Sequence, residues 1–276
     1  MIGKTVRLNR LFNNESGNSI LVAIDHGVTL GPLDGLRDTP LISNLAKQSR
    51  FQGVIGHKGA ISWAVSEGGT SRDFEYILHI SGSTALGPDS TRKEIVSSVE
   101  HGVRMGATAV SVHTNLGVAG EFGMLKDMAR ICDEAASWGM PVLVMINVFD
   151  EGNSMSYEGK KISHAVRVAA ELGADLVKVQ YPNDFRLLTD IVTSHSTPVL
   201  FAGGEKVEDK REWFKAVHET LMAGGKGLCV GRNFFQDAYP AQMGYALYGM
   251  VHEGRTYQEA YDSYESLIAE KMYFSS

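Results

Sequence analysis

Eight short apolar runs recur along the chain, each followed by a polar or glycine-rich turn and then by a stretch with helical spacing. They are SILVAID at 19–25, GVIGHK at 53–58, EYILHIS at 75–81, AVSVHTN at 109–115, PVLVMINV at 141–148, DLVKVQY at 175–181, PVLFAGG at 198–204 and GLCVGRN at 227–233. Runs this short, bounded by turn signals, read as strands covered on both faces. Between them, Ile95, Val99 and Val103 in TRKEIVSSVEHGVRMG, and Leu125, Met128, Ala129 and Cys132 in EFGMLKDMARICDEAASWG, fall at helical spacing. Strands alternating with helices require parallel pairing through crossover connections. Eight such repeats predict an α/β fold, a closed (β/α)₈ TIM barrel. An open doubly wound sheet is the alternative, weakened by the absence of a G-x-G-x-x-G turn after the first strand. No Pro- or Ser-rich linker divides residues 1–276, so one barrel domain is expected, with an N-terminal cap and a C-terminal helical extension.

Composition narrows the class without changing the architecture. A length of 276 residues suits one barrel, and 43% hydrophobic residues supply a core without staples. A formal net charge of −6 without a long basic run argues against a nucleic-acid partner. No apolar run approaches the roughly 20 residues that span a membrane. The N-terminal MIGKTVRLNRLF lacks the apolar core and cleavage site of a secretory signal, so a cytoplasmic protein is expected. Cys132 and Cys229 lie far apart in apolar stretches and read as buried, reduced thiols.

In such barrels the chemistry lies at the C-terminal ends of the strands. Those ends carry Asp25-His26, His57-Lys58, Ser81, His113 with Asn115, Asn147, Lys178, Gly203-Gly204 and Gly231-Arg232. Lys178 is a charge inside an apolar strand. It reads as an amine nucleophile that forms an iminium with a ketone, as a structural partner of Asp25, or as an anion contact. Asp25 reads as a proton shuttle or as that partner. His26 reads as a satisfied turn histidine, because adjacent strand-end residues point to opposite faces. Gly203, Gly204, Gly231 and Arg232 follow strands seven and eight, where backbone N–H groups often hold a phosphate. The competing reading is two tight turns and an arginine paired with a carboxylate. His57, His113 and Asn115 are pocket candidates. The two histidines are on non-adjacent strands with no close H-x-H pair, so no metal site is expected. The tyrosines at 239, 245, 248, 257, 261 and 264 read as packing and as contact surface for a homo-oligomer.

The ordered motifs AIDHG, HKG, HISGSTAL, VSVHTNLG, ELGADLVK, FAGG and VGRNFFQ cover nearly the whole chain. Together they resemble the archaeal-type class I aldolases, which group fructose-bisphosphate aldolases with 2-amino-3,7-dideoxy-D-threo-hept-6-ulosonate synthases and related secondary-metabolism enzymes. A thiolase of a phosphorylated diketone is a more distant relative of that family. The resemblance implies a barrel without metal or separate cofactor, in which the substrate is held as a lysine iminium. It implies Lys178 as the Schiff-base lysine, Asp25 as the acid/base, and phosphate binding at Gly203, Gly204, Gly231 and Arg232. One departure stands out. The better-known members carry a tyrosine acid/base at the end of strand five, where this chain has Asn147. An amide cannot take the tyrosine's place in proton transfer. Either His113, Tyr181, Asp150 or Glu151 supplies that function, or the reaction differs from fructose-bisphosphate cleavage. The expected activity is therefore an aldolase or transaldolase acting on a phosphorylated ketose-type substrate. The donor would be of the dihydroxyacetone phosphate type and the acceptor an aldehyde such as aspartate semialdehyde. The alternatives are thiolytic cleavage of a phosphorylated diketone and a non-catalytic sugar-phosphate-binding barrel.

Overall fold

The computed structural model describes residues 1–182 and 184–275. Eight parallel strands form the barrel: β1 (Ser19–Ala23), β2 (Gly53–Gly56), β3 (Glu75–His79), β4 (Ala109–Leu116), β5 (Val142–Asp150), β6 (Leu176–Gln180), β7 (Val199–Ala202) and β8 (Gly227–Val230). Each pairs with its sequence neighbour, and β1 pairs with β8, so the sheet is closed. All eight coincide with the apolar runs of the sequence.

Closure sorts residues by parity, because successive strand residues face opposite sides. Leu21, Ala23, Ile55, Ile77, Ala109, Leu143, Met145, Leu176, Leu200 and Cys229 point inward and form one buried cluster. Residues of the other parity, such as Val22, Val54, Val144, Val177 and Val230, pack outward against the helices. The N-terminal helix Ile2–Arg10 closes one end. Leu11, with Leu8 and Phe12 beside it, joins the inner cluster. Lys4 pairs with Asp175 at 2.9 Å, and Arg7 Nη1 donates to the Gly139 carbonyl at 2.9 Å. The β1–β8 seam requires glycine at 227. Its φ is +117°, and a Cβ there would lie 1.9 Å from the Ser19 carbonyl oxygen.

The segment 91–106 departs from the expected single helix. The helix begins only at Val99, with the Ser98 hydroxyl accepting from His101 N at 3.1 Å. Upstream, Glu94–Ile95 pairs antiparallel with Ser81–Gly82. A good N-cap and a β-branched residue in register with a partner strand override the helical periodicity there. This leaves Lys93 on a loop above the barrel rather than on a helix face.

The C-terminal helices Pro240–Glu253 and Tyr257–Ser275 extend the outer layer. Tyr264 is buried and donates to Asp237 at 2.8 Å, while Tyr239, Tyr257 and Tyr261 pack on the same core. Tyr245 and Tyr248 lie under the guanidinium groups of Arg255 and Arg50 at 4.9 and 4.7 Å. Among the described residues no helix is long and apolar enough to cross a membrane.

Candidate active site

The inward parity continues past the apolar cluster and becomes polar at the C-terminal ends of the strands. Two residues beyond Ala23, Ile55, Ile77, Met145 and Leu176 stand Asp25, His57, His79, Asn147 and Lys178; Ser111 and His113 follow Ala109 on β4. An apolar floor therefore carries a layer of titratable groups screened from water by the barrel walls.

Lys178 Nζ meets the Met145 thioether at 3.8 Å and lies beside the Cys229 thiol. Among the described residues it makes no ion pair with Asp25 or any other carboxylate. The reading of Lys178 as a mere salt-bridge partner is not supported. Among the described residues the basic side chains within 4 Å of Asp25 are histidines, with Oδ1 3.7 Å from His26 Nδ1 and Oδ2 3.8 Å from His79 Nε2. Burial alone would raise the Asp25 carboxyl. The surrounding His79, His26, Lys178 and His57 act against it and hold the group well below the usual carboxylate range. Asp25 Oδ1 has no hydrogen-bond partner, so an ionised carboxylate faces the barrel interior with an unused acceptor.

The histidines divide by role. His79 is buried, and its Nδ1 shares a 2.8 Å hydrogen bond with Ser111 Oγ. Burial lowers its pKa to about 4 despite the opposing pull of Asp25. His57 packs edge-on against it, with ring centroids 5.0 Å apart. His113 Nε2 accepts from the Asn147 amide at 2.9 Å. Burial, reinforced by Lys93, His79 and Lys178 and opposed by Asp25, pushes His113 well below its ordinary value. It is neutral at pH 7, with one ring nitrogen already engaged. His26 is satisfied in part, as expected of a turn histidine: it hydrogen-bonds the Ala23 backbone and its ring packs on Phe235 at 5.4 Å, while among the described residues its Nδ1 is buried without a hydrogen-bond partner.

Three residues weighed as substitutes for the missing tyrosine are otherwise occupied or displaced. Tyr181 donates its hydroxyl to Glu219 at 2.5 Å, and burial with that carboxylate raises its pKa. Asp150 pairs with Lys161 at 2.7 Å on the exposed rim, and Glu151 is exposed beside it.

The β7 and β8 loops converge through Asn233, a fully buried residue at the end of the VGRN run. Its amide donates to the carbonyls of Gly203 at 2.6 Å and Glu205 at 2.8 Å, and its Oδ1 accepts from Val207 N at 2.7 Å. One side chain thus fixes five residues of backbone. Gly231 abuts His26 so closely that a Cβ would meet the imidazole at 2.7 Å. Arg232 reaches Glu205 at 3.5 Å, but among the described residues its Nε is buried without a partner.

Residues 19–237 match the model of the DeoC/LacD family aldolases. The chain belongs to that family. It is 35% identical over 254 residues to a 2-amino-4,5-dihydroxy-6-oxo-7-(phosphonooxy)heptanoate synthase of Streptomyces griseus, covering 92% of each chain. It is 29% identical over 264 residues to a 3-hydroxy-5-phosphonooxypentane-2,4-dione thiolase of Escherichia coli O9:H4, covering 96% of this chain and 87% of that one. A solved Schiff-base-forming fructose-1,6-bisphosphate aldolase superposes with a TM-score of 0.81 at 30% identity, over 90% of this chain and 99% of that one. The chain is an aldolase-type lyase of the Schiff-base class.

In this aldolase the polar layer and both loops open into one cavity of about 780 Å³, within the usual size of a small-molecule site. Asp25, His26, His113, Asn115, Asn147, Lys178, Tyr181, Gly203, Gly204, Gly231 and Arg232 all line it. His57 stands behind His79 and is absent from the lining. Among the described residues no three His, Cys, Asp or Glu side chains are grouped as a metal ion would need. The cavity also includes Lys93 and Tyr157, and His79 with Ser111 backs Asp25; none of these four was singled out from sequence. His79 was legible by counting two residues on from Ile77. Lys93 was hidden by the helical periodicity around it.

Proposed function

We propose that this aldolase joins a donor of the dihydroxyacetone phosphate type to an aldehyde through an iminium on Lys178. The observation that carries the reading is an inward amine on β6 with no carboxylate partner among the described residues, sharing a cavity with an ionised Asp25. Lys178 Nζ adds to the donor ketone, and the carbinolamine loses water to leave the iminium. Asp25 takes the proton from the adjacent carbon, and the iminium drains the electron pair to an enamine. The enamine attacks the aldehyde carbon. Asp25 then returns its proton to the new alkoxide, so the cycle balances without the tyrosine that Asn147 replaces. Water adds back to the product iminium and frees Lys178.

The backbone of Gly203 and Gly204, held by Asn233, receives the donor phosphate together with that of Gly231, and the unused Nε of Arg232 adds a charge-assisted contact. The product named for the Streptomyces relative supports the choice of substrates. It has a phosphonooxy group beside a ketone and an amino acid beyond two hydroxyls. Parting such a compound at the aldol bond gives dihydroxyacetone phosphate and aspartate semialdehyde.

The test is incubation with these two compounds, with product mass as the readout. A seven-carbon amino-ketose phosphate, absent with Lys178→Ala, is the expected result. The reading fails if no aldehyde in a panel consumes the donor. Thiolysis of a phosphorylated diketone is the second reading, favoured by Asn147 in the tyrosine's place. It would appear as thiol-dependent cleavage needing no aldehyde.

A further inference from the structure

Lys93 is a cation on the cavity wall that the mechanism above does not use. It lies on the loop after β3, and β3 is four strands from β7 in either direction around the closed barrel. It therefore stands across the mouth from the Gly203–Gly204 loop. Its Nζ donates to Ser83 Oγ at 2.6 Å and to the Ser90 carbonyl at 3.0 Å. An ammonium has three N–H groups, so one remains. Among the described residues no carboxylate lies within 4 Å of it; Asp25 and Asp89 act on its charge from farther away, and His113 feels that charge in turn. Two uncharged oxygens thus orient a cation toward the cavity without neutralising it. The neighbouring Arg92, by contrast, turns outward to Glu94 at 2.6 Å.

A second unused group lies close by. Asn115 donates its amide to the Thr91 carbonyl at 2.5 Å, two residues before Lys93, and among the described residues its Oδ1 is buried without a partner. A single free N–H on a fixed ammonium suits one carboxylate oxygen, whereas a phosphate calls for several donors. An empty acceptor beside it complements an ammonium.

We infer that Lys93 binds the carboxylate of the acceptor aldehyde, with Asn115 Oδ1 facing its α-amino group, so that the cavity selects amino-acid semialdehydes. The inference rests on the aldol reading and adds its second anion site. Phosphate at the β7–β8 side and carboxylate at the β3 side would hold donor and acceptor from opposite ends, with Lys178 and Asp25 between.

The experiment compares Lys93→Met and Lys93→Arg with the natural enzyme, using dihydroxyacetone phosphate as donor. The acceptors are aspartate semialdehyde, succinic semialdehyde, butanal and glyceraldehyde 3-phosphate. Loss of one charge-assisted contact should lower kcat/KM of Lys93→Met for the two carboxylated aldehydes by roughly ten- to a hundredfold, mostly through KM. Butanal should change by less than about twofold on the same reasoning, and Lys93→Arg should recover part of the loss. Inhibition by butyrate against butyramide gives the same comparison where turnover is slow. Borohydride trapping of the donor should be unchanged in Lys93→Met, which also shows that the variant folds. Equal losses for charged and neutral acceptors overturn the inference. A loss confined to glyceraldehyde 3-phosphate overturns it in favour of a second phosphate site. Absence of a trapped adduct in the natural enzyme is a separate result, and it would sink the aldol reading instead.

Discussion

Asp25 shows how much a single side chain owes to its surroundings. Burial alone would raise its carboxyl, but the neighbouring His79, His26, Lys178 and His57 hold it below the usual range. Lys178 and Asp25 were both legible in the sequence, because a charge at the end of an apolar barrel strand has few other places to point. His79 was less visible, since its meaning depends on facing inward two residues beyond Ile77 and reaching Ser111 on the next strand. Tyr181 was legible as a strand-end polar group, but its hydroxyl is taken by Glu219, a partner on a distant helix that no spacing reveals. Arg232 should be visible in the kinetics. Removing it as Arg232→Ala should raise the donor KM about ten- to a hundredfold, the worth of one charge-assisted contact, and change kcat less. Steady-state kinetics with varied dihydroxyacetone phosphate measure this. A fall in kcat with unchanged KM would remove Arg232 from the phosphate site.

The eight strands and the glycine turns between elements were legible because their signals are local. The segment 91–106 was not, because Ile95 pairs with Ser81, a contact that helical periodicity cannot register. The β7 loop depends on an element beyond it in the same way. Asn233 holds Gly203, Glu205 and Val207 through three hydrogen bonds. The Asn233→Ala variant should loosen this loop, weaken donor binding at least about tenfold and cost on the order of 2 kcal/mol of stability. Donor titration and urea unfolding of the same sample check both parts. The β1–β8 seam should be less forgiving. In Gly227→Ala the new Cβ meets backbone, not a flexible side chain. The seam must open, and a loss of more than about 3 kcal/mol or failure to fold is expected. Denaturant unfolding with a midpoint near that of the natural protein would contradict this account of closure.

Closure at the scale of the whole molecule turns eight separate strands into one site, because parity brings Asp25, His79, Asn147 and Lys178 into a single layer. The same burial sets a pH dependence of stability. His79 and His252 titrate at about 4 in the folded protein against an ordinary 6.5. Between those values the unfolded chain binds more protons, so acid favours unfolding. The contribution is full above 6.5 and is lost as pH falls toward 4, at about 2 kcal/mol for the buried His79 by pH 5 and less for the more solvent-screened His252. Asp25 acts with the same sign below its ordinary 3.8. Urea unfolding at pH 7 and pH 5 should show the drop, and equal stabilities would contradict the burial of neutral histidines. The central claim is that Lys178 carries the donor. Borohydride reduction in the presence of dihydroxyacetone phosphate, followed by peptide mass spectrometry, tests it most directly. One reduced adduct on Lys178, absent in Lys178→Ala, is the expected result. An adduct on Lys93, or none with any phosphorylated ketone, would contradict it.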